Sequence, residues 1–174
     1  RCNADFIKCH NNEPYLVQSI HSLQGNSYLL ALIMNGQDEV STHAIKLMLK
    51  LFEELANQYE CPIMLIASRR QIDSEDLGGG YVNNWSTERF GDYVIDQDKK
   101  GKVFLARDHG GPWQNEIEKS NNLSLRKAME SAKKSYQADI DSGFQILHID
   151  PSVDIHGKPS TDEVLERIFE LYEF

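Results

Sequence analysis

Four short, nearly continuous apolar runs punctuate this chain, at residues 28–34, 62–67, 102–106 and 144–149. Each is too short for an ordinary helix and has the content of a buried strand. A segment of helical character follows each one. Ala44, Ile45, Leu47, Met48, Leu51, Phe52 and Leu55 recur at helical spacing behind Thr42, a candidate N-cap. Ser86 is placed to cap a helix over 87–95, and Ser124 one over 125–140 that Gly143 would close. Ser160 or Thr161 would cap a last helix over 162–172. Four strand-then-helix units in a row favour a parallel α/β sheet with right-handed crossovers. Residues 1–27 read as a lead-in with a short helix around 16–23. Residues 28–174 read as one domain, without a linker or a low-complexity tract.

Charge and cysteine usage narrow the partners. The 174 residues suffice for one domain with a core, and the net charge of −9 comes with scattered Lys and Arg. Nucleic-acid binding needs a basic face, so it is not expected. Cys2, Cys9 and Cys61 are odd in number and lack zinc spacing. That usage points to a reducing compartment, read here as the cytoplasm. No run approaches the roughly 18–20 apolar residues of a membrane span, and no signal peptide is expected. The opening Arg1 reads as a trimmed or processed start.

In a parallel α/β fold, ligands sit at the carboxyl ends of the strands. Those ends carry Asn35-Gly36, Ser68-Arg69-Arg70, Asp108-His109 and Asp150-Pro151-Ser152. Strand alternation groups Met64, Ile66 and Ser68, then Phe104, Ala106 and Asp108, then Ile146, His148 and Asp150. The opposite, apolar positions should meet the helices, so these three sets face a site. Asp108 fits proton transfer, since a partly buried carboxylate can titrate near working pH. It equally fits a loop aspartate capping the turn before Gly110. His109 could bind a divalent metal through one ring nitrogen or be structural. Asp150 could orient a ligand, bind a cation or cap its loop. His148 reads as a satisfied inward histidine. Arg69-Arg70 stands where a sugar phosphate would need positive charge, or is a solvated pair on Asp73 or Glu75. Gly78-Gly79-Gly80 lacks the Lys-Ser/Thr of a Walker A loop and reads as a flexible loop. Gly110-Gly111 would let a ligand approach the backbone. No Gly-x-Ser-x-Gly, Cys-x-x-Cys or His-Glu-x-x-His segment occurs, which removes support from serine-hydrolase, dithiol-redox and zincin readings.

The order Asp108-His109-Gly110-Gly111-Pro112, Ala128-Met129-Glu130, Gly143-Phe144 and His148-Ile149-Asp150-Pro151-Ser152 resembles the non-catalytic subunit of class II tagatose-bisphosphate aldolase. Gly79-Gly80-Tyr81 resembles a Gly-Gly-Tyr motif in that family's second loop. Class II aldolases in general are similar in carrying Asn after the first strand and Asp-His after the third, here Asn35 and Asp108-His109. The resemblance spans about residues 28–172 and implies a TIM-type (β/α)8 barrel, of which this chain would supply the first four βα units. It implies that Asp108 moves the proton and that His109 is a zinc ligand, with Asn35, Ser68, Asp150 and Ser152 near the substrate. Zinc there would polarise a carbonyl and stabilise an enediolate. The further histidines and phosphate loops of that family lie in the second half of the barrel, so the ligand set here is incomplete. Arg107 replaces a small glycine before the acid and is expected to crowd or charge the mouth. Older naming called the resembled subunit a tagatose 6-phosphate kinase, but this stretch has no ATP-binding motif.

Three functions follow as expectations. The first is an auxiliary, stabilising subunit of a class II sugar-bisphosphate aldolase, in carbohydrate metabolism. The second is a self-sufficient zinc-dependent lyase on a phosphosugar. The third is a half-barrel binding or assembly module. An open half-barrel leaves strand edges unpaired, so an oligomer is expected.

Overall fold

The computed structural model describes residues 62–82 and 85–174 in full. Of the rest it describes the backbone of 22–23, 26–27 and 29–32, and Lys50 and Glu54 as helical. Asn35 and most of the helix expected over 44–55 lie outside the described residues. Two strands, β1 (Ser22–Leu23) and β2 (Asn26–Ser27), pair antiparallel. The helix expected around 16–23 therefore does not hold at its last two residues, which pair as strand. A parallel sheet follows in the order β3 (Leu29–Leu32), β4 (Ile63–Ser68), β5 (Val103–Gly110) and β6 (Phe144–Ile149). Spatial order equals chain order. The described helices are a 3-10 turn at Glu75–Leu77, then α1 (Thr87–Gln97), α2 (Glu116–Ser120), α3 (Leu125–Asp141) and α4 (Thr161–Tyr172). No described helix is long and apolar enough to cross a membrane.

Local chemistry sets most boundaries. Ser86 accepts a hydrogen bond from the Arg89 N–H at the start of α1. Ser160 and Glu163 form a reciprocal capping box at the start of α4. Ser124 occupies the N-cap position of α3 without a side-chain bond, so its expected capping role is met only by backbone. Gly143 takes φ 83° after α3, where an L side chain would be strained. The stretch from Gly110 to Asn122 contains α2. Its N-cap Asn115 accepts from the Ile117 N–H at 2.8 Å, a signal present in the sequence.

One face of the sheet carries the helices. Ile63, Leu65, Ala67 and Leu105 are buried with Phe90 and Val94 of α1. Leu147 and Ile149 pack on Met129, Ala132 and Tyr136 of α3 and Leu171 of α4. The opposite positions, Met64, Ile66, Phe104 and Ile146, are half-buried or exposed among the described residues. Phe144 would belong to that open face by simple alternation. Leu105 pairs with Phe144 but Ala106 with Ile146, so Gln145 is an extra residue and Phe144 turns back into the core. The Gln145 side chain accepts from the Leu105 N–H at 2.8 Å and closes the gap in the ladder.

Arg107 corrects the expectation of a crowded mouth. Alternation turns it to the helix face, where it is 1% exposed. It donates to both Asp139 carboxylate oxygens, to the carbonyls of Ala67 (3.1 Å) and Ile72 (2.6 Å), and to Thr87 Oγ1 (3.1 Å). Arg69 is likewise buried rather than solvated. It pairs with Asp73 at 3.0 Å and Glu118 at 2.6 Å, and donates to the Gly111 carbonyl at 2.6 Å. Asp73 also accepts from Asn115 and Ser135, both at 2.7 Å. Burial disfavours the Arg69 charge, but the two carboxylates outweigh it and raise its pKa. Arg70 pairs with Glu116 at the surface. Each arginine here has an acidic partner, and neither stands unpaired for a phosphate.

Candidate functional site

The carboxyl ends of β5 and β6 converge on one polar cluster. Its making depends on a second irregularity in the ladder. Arg107 pairs with Leu147 and Gly110 with Ile149, so Asp108 and His109 together oppose the single residue His148. His109 has φ 47°, an uncommon conformation for a non-glycine residue. In a regular strand, adjacent side chains point to opposite faces. The bulge lets Asp108 and His109 both reach the mouth. Alternation alone would have sent His109 back toward the helices.

Asp108 Oδ1 lies 3.2 Å from His148 Nδ1, and Asp108 Oδ2 lies 3.6 Å from His109 Nε2. The two imidazoles are each 55% exposed and Asp108 is 37% exposed, so solvent reaches all three. His148 is therefore not the satisfied inward histidine that the sequence suggested. Its backbone is held from behind: Tyr136 donates its hydroxyl to the His148 carbonyl at 3.2 Å. Burial raises the Tyr136 pKa, which keeps that hydroxyl protonated as a donor.

Asp150 is spoken for. It meets His109 Nδ1 at 2.7 Å and accepts from Gln114 Nε2 at 3.1 Å, from the Ser152 N–H at 3.2 Å and from Ser152 Oγ. Partial burial pushes its carboxyl upward, but the bonds from Ser152 and His109 prevail and hold it below the usual carboxylate range. The same bond to Asp150 raises the His109 pKa, against partial burial. Asp150 thus supports the His109 ring, and Ser152 in turn supports Asp150. A carboxylate on Nδ1 fixes the ring and leaves Nε2 turned to Asp108. Ser68 pairs with Asp108 across β4 and β5, and its hydroxyl donates to Gln71 at 3.2 Å.

The two glycines after His109 serve protein packing, not ligand approach. A Cβ on Gly110 would stand 2.4 Å from the Tyr136 hydroxyl, and one on Gly111 2.3 Å from the Asp150 carbonyl oxygen. The Gly78–Gly80 loop is pinned rather than flexible. Tyr81 and Val82 donate to the Arg70 and Gln71 carbonyls, and a Cβ on Gly80 would lie 2.1 Å from the Gln71 carbonyl oxygen. Trp113 is a buried anchor whose indole donates to the Leu123 carbonyl at 2.9 Å.

Sequence reasoning did not single out Gln114, a buried amide with no motif to mark it. It also gave His148 no role at the site. Its shared strand face with Asp150 was visible, but the bulge that brings it to Asp108 was not.

No protein-family profile and no curated protein matches the chain. Among solved structures, one described as a probable tagatose 6 phosphate kinase from Sinorhizobium meliloti 1021 superposes with a TM-score of 0.64 at 20% identity. The match covers 83% of this chain and 35% of that one, so the chain spans little more than a third of its neighbour. At this identity the likeness speaks to the α/β fold.

Proposed function

We propose that this chain forms the first four βα units of a class II aldolase-type (β/α)8 barrel. Its function in this reading is that of an auxiliary, stabilising subunit of a sugar-bisphosphate aldolase such as tagatose-bisphosphate aldolase. The observation that carries it is the winding. The parallel strands run in chain order, and the described helices that pack on the sheet do so on one face. A doubly wound sheet would place helices on both faces. A barrel leaves the inner face free of helices and puts the site at the carboxyl ends of the strands. The cluster at Asp108, His109 and His148 lies at those ends. The solved neighbour bears the older name of the resembled subunit, which agrees with this reading.

The test is association. The full-length protein, co-expressed with a class II sugar-bisphosphate aldolase of the same cell, should co-purify with it and raise its thermal stability or specific activity. Absence of a complex, with no effect on the aldolase, contradicts the reading.

A second reading, a self-sufficient metal-dependent lyase on a phosphosugar, is favoured by the presence of Asp108 and His109 at the mouth. His109 would hold the metal, whose chemistry is carbonyl polarisation, and Asp108 would hold or move the proton. Cleavage of a ketose bisphosphate by the purified protein alone, lost in Asp108→Ala, would support it. Absence of cleavage by the purified, zinc-supplemented protein would exclude it.

A further inference from the structure

We propose that Asp108, His109 and His148 together form a divalent-metal site, complete in its protein ligands within this chain. It differs from the arrangement that the family resemblance implies, in which His109 alone of these three binds metal and Asp108 moves a proton. It is independent of the subunit reading, because it concerns binding by this protein without a partner.

The first argument is geometric. One ligand atom from each of the three residues can be chosen so that all lie within 4.8 Å of one another. Asp108 Oδ1 stands 3.2 Å from His148 Nδ1 and Asp108 Oδ2 3.6 Å from His109 Nε2, each near the spacing of adjacent ligands around zinc. Ligands about 2.0–2.1 Å from a tetrahedral ion stand about 3.3–3.4 Å apart. Small side-chain rotations would seat an ion between the three groups.

The second argument is a donor-acceptor conflict at His148. Its Nδ1 faces the His109 N–H at 3.4 Å and the Asp108 carboxylate at 3.2 Å. An unprotonated Nδ1 accepts from the N–H but turns its lone pair toward an anion. A protonated Nδ1 serves the carboxylate but sets one N–H against another. A cation between Nδ1 and the carboxylate replaces that opposition with two coordinate bonds. What it gives up is a contact beyond the usual length range of an N–H hydrogen bond.

The third argument is the support behind the ligands. Asp150 fixes the His109 ring through Nδ1 and is itself held by Gln114 and Ser152. Tyr136 fixes the backbone of His148. A carboxylate behind a ligating imidazole is the usual support of such sites. Two imidazoles and one carboxylate suit zinc, cobalt(II) or iron(II). Three protein ligands leave positions open to water or substrate.

The test is metal titration of the full-length protein, with Cys2, Cys9 and Cys61 replaced by Ser to remove competing thiolates. Zinc is followed by calorimetry, and cobalt(II) by its visible d–d bands. One equivalent of zinc should bind, and His148→Ala, His109→Ala and Asp108→Ala should each abolish stoichiometric binding. Asp150→Asn should weaken it by about 10–100-fold, as expected for a supporting residue. His148→Gln, with unchanged circular dichroism, separates ligand loss from unfolding. Failure of the parent protein to bind zinc overturns the proposal. So does zinc affinity in folded His148→Ala or His148→Gln equal to the parent's, which would leave His109 binding without His148.

Discussion

Asp108 and Arg107 are neighbours in sequence and lie on opposite sides of one sheet. Behind the sheet, Arg107 and Arg69 are almost fully buried, with hydrogen bonds from each guanidinium to carboxylates, carbonyls and hydroxyls. In front, Asp108, His109 and His148 are partly open to water, and one imidazole nitrogen faces two demands it cannot meet together. A buried charge without partners costs several kcal/mol, so the back can exist only when complete. The front is half-solvated and can remain incomplete until something binds. Charge placement, rather than charge content, separates the part of this molecule that holds the fold from the part available for chemistry.

Substitutions on the two sides should differ accordingly. The largest effect is expected behind the sheet. Arg107→Met leaves Asp139 buried without its partner and should cost about 3–5 kcal/mol in denaturant unfolding. Arg107→Met combined with Asp139→Leu should recover part of that loss, because no charge is stranded although the Ala67 and Ile72 carbonyls still lose a donor. Next comes the hinge between the two sides. Gly111→Ala forces a Cβ toward the Asp150 carbonyl and should cost about 1–3 kcal/mol. It should also weaken zinc binding by displacing Asp150 from His109. Ser160→Ala, remote from both sides, should cost about 1 kcal/mol through loss of the capping box on α4. The smallest effect on stability is expected at the mouth. Asp108→Asn should stay within about 0.5 kcal/mol of the parent in the absence of metal. A loss there as large as that of Arg107→Met would erase the distinction between the two sides.

Much of this was legible in the sequence, and the limits are physical. Apolar runs and cap residues placed β4, α1, α3, β6 and α4 to within a few residues, because period and capping are local properties. Alternation correctly turned Asp108 to the open side and Leu147 and Ile149 to the helices. Applied to Arg107, the same rule would have turned it to the helix side, but its partner Asp139 lies on α3 and only tertiary structure joins them. The two bulges, at Gln145 and at Asp108-His109, left no local signature. One changes which side Phe144 faces, and the other carries His109 to the mouth. Asn35 lies outside the described residues. Asp150 and Ser152 are at the site in a supporting position.

The most direct measurement is unfolding free energy with and without zinc, in the cysteine-free background, for the parent and for Asp108→Asn. Binding to the folded state alone should stabilise the parent by about 2.7 kcal/mol when free zinc is a hundredfold above the dissociation constant. Asp108→Asn should gain nothing measurable at the same zinc concentration. An equal gain in both proteins, or none in the parent, would contradict a mouth built to be completed by a cation.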